Sequence, residues 1–153
     1  VAAGGGVGSE WQAAILTTNK IRLTLHDSSA AVDVSRQVDT GTLVAGGIYH
    51  LGFTYDGAGG ALAANGILLY VNGVAQASTP TNDASYVAME NLTILPRLGA
   101  RGDIPQIFFN GDMLGGPAFI KAQVSAADMM RDYLQFVEMQ KNFSLDYRRL
   151  MGR

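Results

Sequence analysis

A chain of 153 residues, 48% hydrophobic and 16% charged, has the size and apolar content of one folded domain. A formal net charge of −2 leaves no electrostatic footprint for nucleic acid, and the absence of cysteine excludes disulfides, thiolate catalysis and cysteine-ligated zinc. Nineteen glycines point to a turn-rich all-β domain, and no apolar run approaches the ~20 residues needed for membrane insertion.

Residues 1–10 open with VAAGGGVG, small residues without a period, and read as a flexible lead-in. A chain starting with Val1 is expected to be processed or to be a piece of a longer product. Residues 11–17 and 20–26 flank Thr18–Asn19 as a hairpin; in the second run Ile21, Leu23 and Leu25 alternate with Arg22, Thr24 and His26. Residues 30–38 predict a third strand, with Val32 and Val34 set against Asp33 and Ser35. In 48–55, Tyr49, Leu51, Phe53 and Tyr55 share one face of a strand and His50, Gly52 and Thr54 the other.

Residues 67–72 and 74–78 flank Asn72–Gly73, the pair a type I′ hairpin turn demands. Residues 91–98, 106–113 and 117–124 predict the remaining strands, with Pro96 marking an edge or bulge. Ser125 is then a helix N-cap, with Asp128 in the first turn, and the spacing predicts a helix from Ala126 to about Asn142. Met130, Leu134 and Val137 form one apolar stripe; Met129, Tyr133 and Phe136 form a second beside it. The chain ends in YRRLMGR, a basic arm that includes Arg148 and Arg149.

Four segments, in order, resemble laminin-G-like domains of the concanavalin A-like lectin and glucanase type. They are Tyr49 to Gly57 (YHLGFTYDG), Leu68 to Val74 (LLYVNGV), Phe109-Asn110-Gly111-Asp112 before an apolar strand, and Val124-Ser125-Ala126-Ala127-Asp128. The resemblance covers Trp11 to Asp128. It implies an all-β, two-sheet antiparallel jelly-roll sandwich over residues 11–124, with the C-terminal α-helix and basic arm in 125–153. Two features depart from it: the strand expected before Trp11 is missing, unless another chain supplies it, and the helix is longer than needed. Both point to assembly.

Enzymes of this architecture place two carboxyl groups roughly 5–5.5 Å apart. The closest acids here, Asp128 and Asp132, are four apart on the helix, and the only glutamates are Glu10, Glu90 and Glu138. No catalytic residue is assigned. His26 and His50 have no Ser or acid at a motif spacing; His50 reads as an outward strand residue with a structural hydrogen bond. Arg101-Gly102-Asp103 is read as a charged turn. The resemblance implies calcium at the sandwich rim, for which Asp83, Asp103, Asn110 and Asp112 are the candidates; the alternative for each is an Asx turn. No other cofactor is expected. Carbohydrate would meet Tyr86, the best exposed ring, and Asn82 in the loop TPTNDASY. Met130, Leu134, Val137, Arg148 and Arg149 would meet a partner.

Two functions are therefore expected. The first is a non-enzymatic bacteriophage virion protein on the particle exterior. It would be a capsid decoration, fibre or tail-associated module that binds other virion subunits or itself, and in addition a cell-surface glycan. The alternative is a carbohydrate-binding module of a larger secreted bacterial protein.

Overall fold

The computed structural model describes residues 10–41, 43–93, 97–99, 110–114 and 117–151, except for the side chains of 143–151. Two antiparallel sheets share one core. The larger contains β1 (Trp11–Ile15), β2 (Ile21–Asp27), β3 (Val32–Val38) and β7 (Ser78–Thr81), in the order β1-β2-β3-β7. The smaller contains β4 (Leu51–Tyr55), β5 (Ile67–Val71) and β6 (Val74–Ala75), in the order β4-β5-β6. A short 3-10 turn (Ala63–Gly66) leads into β5, and α1 (Ala126–Met151) follows the sheets.

Local chemistry sets the turns. Asn19 takes the left-handed conformation (φ 58°) and its N–H donates to Leu16 O at 2.9 Å, a three-residue loop that closes β1 on β2. Asn72 and Gly73 both have positive φ, 52° and 75°, as the expected β5–β6 turn requires. The period-two pattern of β2 sends Ile21, Leu23 and Leu25 inward, where they join Val34 and Val38. Ile67, Leu69 and Val71 meet them from the smaller sheet, flanked by Leu51, Phe53 and Tyr55. Each such aliphatic side chain contributes roughly 1.5–3 kcal/mol on burial.

Two charged side chains join what the apolar core leaves separate. Arg36 points inward from β3; its Nε donates to Ser78 Oγ (2.8 Å) and its Nη atoms to the carbonyls of Asn65, Ile67 and Ser78 (3.0–3.2 Å). It thus ties the larger sheet to the start of β5. Asp27 lies at the end of β2 and is 2% exposed. Its carboxylate accepts from Ser29 Oγ (2.8 Å), Ala30 N (3.0 Å), Val87 N (3.0 Å) and Ala88 N (3.4 Å). The Ala30 and Val87 amides lead in holding it down at about pKa 2.

The helix makes a third layer. Met129 is buried over Gly52, where a Cβ would lie 2.4 Å from Met129 Sδ. Gly73 lies under Met130 and Tyr133, where a Cβ would come within 2.9 Å of the Met130 Cα. His50 Nε2 pairs with Asp132 Oδ2 at 2.9 Å, and its ring tilts against Tyr133 and Phe136. The structural hydrogen bond expected of His50 therefore reaches the helix. The N-cap is as expected: Ser125 Oγ accepts the Asp128 N–H at 3.1 Å.

Several expected elements differ. The helix runs to Met151, past Asn142. The run 74–78 splits, because Ser78 leaves β6 to pair with Val38 and to accept from Arg36. Residues 117–124 form no strand: Pro117 lacks an N–H, and adjacent Phe119 and Ile120 are both exposed, so burial does not alternate. Residues 91–93 and 97–98 form none either; Leu92 N donates to the Glu10 carboxylate instead. Residues 106–109 lie outside the described residues, and 110–113 carry no strand.

Two predictions follow from these contacts. Gly73→Ala forces a side chain into the left-handed region and against the helix backbone. It should cost about 1–2 kcal/mol or more in a urea melt. Asp27 has a depressed pKa, so its contribution is complete above the ordinary value of 3.8 and is lost as pH falls toward about 2. Melting temperatures should drop across that window, and Asp27→Asn should be less stable at pH 7 but flatter between pH 4 and 2.

Candidate functional site

The pairing register exposes a mismatch between the sheets. Trp11, Ala13 and Ile15 lie directly opposite Leu25, Leu23 and Ile21, so they share the inward face. Their partners on β2 are buried, yet Trp11 is 39% and Ile15 42% exposed. Among the described residues the core cluster takes side chains from β2 and β3 but none from β1. Beside this row Trp11 meets Phe119 at 5.9 Å between ring centroids, and Phe119 and Ile120 are themselves 60% and 65% exposed.

Among the described residues the same strand is an open edge. His26 N donates to Glu10 O and Leu16 N to Lys20 O, both at 2.8 Å, so the even-numbered residues of this stretch bond to β2. The N–H and C=O groups of Trp11, Ala13 and Ile15 face the other way, and among the described residues no strand pairs with them. The strand reads WQAAI, without a charge or proline. Edges that avoid pairing carry such residues; this one has none. The signal was present in the sequence as a strand without a charge or a proline.

The helix offers less free surface than its two stripes suggested. Met130, expected to meet a partner, sits over Gly73 of its own domain, and Val137 is half-buried. Leu134 remains 57% exposed, with Met139 also exposed. Arg148 and Arg149 lie in α1, outside the described side chains.

The polar candidates are scattered. Tyr86, expected to be exposed, is 2% exposed and belongs to the core. Asp27 draws in the amides of Val87 and Ala88, and Gly60 N donates to Val87 O, so the loop folds back and drives the ring inward. Its hydroxyl is buried without a partner, and burial pushes its ionisation far up. It presents no face to a sugar. Asn82 serves the 3-10 turn: Oδ1 accepts from Ala64 N and Nδ2 donates to Asn65 Oδ1, both at 3.0 Å. Asp83 Oδ1 accepts the Ser85 N–H at 2.8 Å, an Asx turn. Asn110 and Asp112 are exposed, and Asp103, with the whole Arg101–Asp103 turn, lies outside the described residues. Among the described residues no three acidic or histidine side chains converge on a metal position, and no helix is long and apolar enough to cross a membrane.

Comparison with known proteins gives no relative: no family model, no curated protein and no solved structure matches the chain.

The buried Tyr86 hydroxyl makes a prediction of opposite signs at one position. Tyr86→Phe removes an unpaired donor and should leave stability equal or higher by up to about 1 kcal/mol. Tyr86→Ala opens the core and should cost roughly 3–5 kcal/mol. Denaturant midpoints of the two variants check this.

Proposed function

We propose that this chain is a non-enzymatic structural subunit of a virus particle, of the kind that decorates a bacteriophage capsid or builds a fibre or tail, and that it assembles through the open edge of β1. The single observation that carries assembly is the coincidence, on one strand, of free backbone groups, an uncharged sequence and an exposed inward apolar row. Edge strands of this description add strands from other chains.

The ladder fits a second copy. A two-fold axis at Ala13 pairs Trp11 with Ile15 of the other chain, Ala13 with itself and Ile15 with Trp11. All three residues carry outward N–H and C=O groups, so each of these three pairs is hydrogen-bonded. The smallest side chain sits on the axis, and each indole lies against an isoleucine. A stable interface needs roughly 1,000 Å2, more than a five-residue ladder supplies. Trp11, Ile15, Phe119 and Ile120 are buried along with it.

A laminin-G-like jelly roll is the proposed form of the fold. The segments at β4, at the β5–β6 hairpin and at the start of α1 support it, in that order, as does the passage of the chain from β6 in one sheet to β7 in the other. The placing on a virus particle is supported by the cysteine-free sequence and by the long helix ending in a basic arm. A structural rather than catalytic role is supported by how the acids are used. Asp27 anchors a loop, Asp33 pairs with His26 at 2.6 Å, and Asp128 with Ser125 caps the helix.

Light scattering tests the assembly. The chain should be a dimer or larger, and Ala13→Lys, which places two like charges face to face on the axis, should give a folded monomer. Ala13 bonds to β2 through neither its N–H nor its C=O, so the variant keeps the β1–β2 ladder. A monomeric wild-type chain at high micromolar concentration would sink the proposal.

A further inference from the structure

The stripe that seats α1 on the smaller sheet continues past the contacts that hold it. Met129 meets Gly52, Tyr133 meets Gly73 and His50, and Phe136 meets His50. These three residues are four and then three apart. The same alternation runs on through Gln140, Phe143, Tyr147 and Leu150. A seam spaced four and three is the heptad of a coiled coil. The helix reaches Met151, so its backbone carries the whole seam on one side. The charged residues of α1 past Phe136 (Glu138, Lys141, Asp146, Arg148 and Arg149) all fall at other heptad positions.

Among the described residues, only the first half of this seam meets the sheets. From Met129 over Gly52 to Phe136 beside His50, the helix travels toward the start of β4. There Ile48 is 59% exposed and Met139, which flanks the seam, 55%, whereas Met129 at the docked end is 7% exposed. The fifteen residues after Phe136 extend about 22 Å at 1.5 Å each. An isolated helix of that length is marginal in water, but this one grows from turns already fixed on the sheet and needs no new nucleus. An apolar line left in water is the remaining cost, and a like line on another chain removes it.

We propose that this distal half of α1 pairs antiparallel with the same half of a second copy. Direction follows from the domain itself. The smaller sheet lies on the seam side of the helix, so a parallel neighbour would be driven into it along Met129 to Phe136. An antiparallel neighbour overlaps the distal half only, and its own sheet lies beyond the end of the first helix. The matched register sets Phe143 against Tyr147 of the other chain in two central layers, and Gln140 against Leu150 in two outer ones. Aromatic pairs thus fill the centre, and the one polar position falls at the rim, where its amide reaches water. The contact is smaller than the roughly 1,000 Å2 of a stable interface. It therefore acts at the millimolar effective concentrations of subunits already held side by side. It does not rest on the β1 pairing. A chain with both has two different self-complementary surfaces, and such chains extend into a row.

Sedimentation and cysteine pairing of Ala13→Lys, which lacks the β1 contact, test this. That chain, a monomer in dilute solution, should double in mass as its concentration approaches about 1 mM. Adding Phe143→Glu should keep it monomeric throughout at an unchanged melting temperature. The natural sequence has no cysteine, so introduced thiols report geometry alone. Gln140→Cys mixed with Leu150→Cys should form a disulfide between the two chains, and neither variant alone should cross-link. A chain still monomeric at the highest concentration, association that survives Phe143→Glu, or a lower melting temperature in that variant would each overturn the pairing. Cross-linking of Gln140→Cys with itself would mean parallel helices and would overturn it too. Because the β1 contact is absent from every sample, failure here leaves the β1 proposal standing, and failure of that proposal leaves this one.

Discussion

The carboxylate of Asp27 sits nearly out of contact with water at the end of β2 and accepts four hydrogen bonds, two from the turn that follows it and two from a loop sixty residues on. Without it the segment from Asn82 to Glu90 would keep its bonds to Gly60, Ala64 and Ser29 but lose the acceptor that fixes the backbone next to Tyr86. With it, the amides of Val87 and Ala88 are fixed, Tyr86 is drawn inside, and one end of the space between the sheets is plugged by an aromatic ring. A charge is kept in the interior here because each of its lone pairs has an amide or hydroxyl to meet, which holds its proton off and makes the anion the stable form.

Arg36 does the complementary work midway along β3. Its donors reach two carbonyls near the start of β5 and both oxygens of Ser78. That fixes where the short β6 must end and where β7 begins. Because β7 is drawn to the far side of β3, the larger sheet gains its fourth described strand away from β1. Trp11 and Ile15 are exposed among the described residues although they share the face that β2 buries, and an apolar row of that kind is the raw material of an interface.

Much of this was legible in the residues. Alternation in Ile21–Leu25 and in Val32–Val34, the Asn72–Gly73 turn and the Ser125 cap are local signals, and each element formed where its chemistry placed it. What was illegible depends on distant partners. Tyr86 lies in a polar loop, and no local pattern reveals that Asp27 pulls it inward. The run from Val74 to Ser78 looks continuous until Arg36 claims Ser78. Residues 117–124 read as a last strand, yet a strand exists only where a ladder partner does. The candidate sites fared worse than the elements: Asn82 is engaged by the 3-10 turn, and Asp83 forms the Asx turn that was its alternative reading. The edge of β1 required the register before it stood out.

The passage from β6 to β7 also sets an order of events. Strands β1, β2 and β3 close through neighbouring turns, so that three-stranded piece can form early. Its last partner is another matter: Ser35 waits for Thr81, and every residue between must be made before the ladder closes. During synthesis, at about 5–20 residues per second, β3 therefore spends seconds as an unprotected border, and β1 is one too. A nascent sheet open on both sides is the form most prone to pair with its neighbours on a polysome. The slow, non-local closure of β7 is then the step at which correct assembly and misassembly compete.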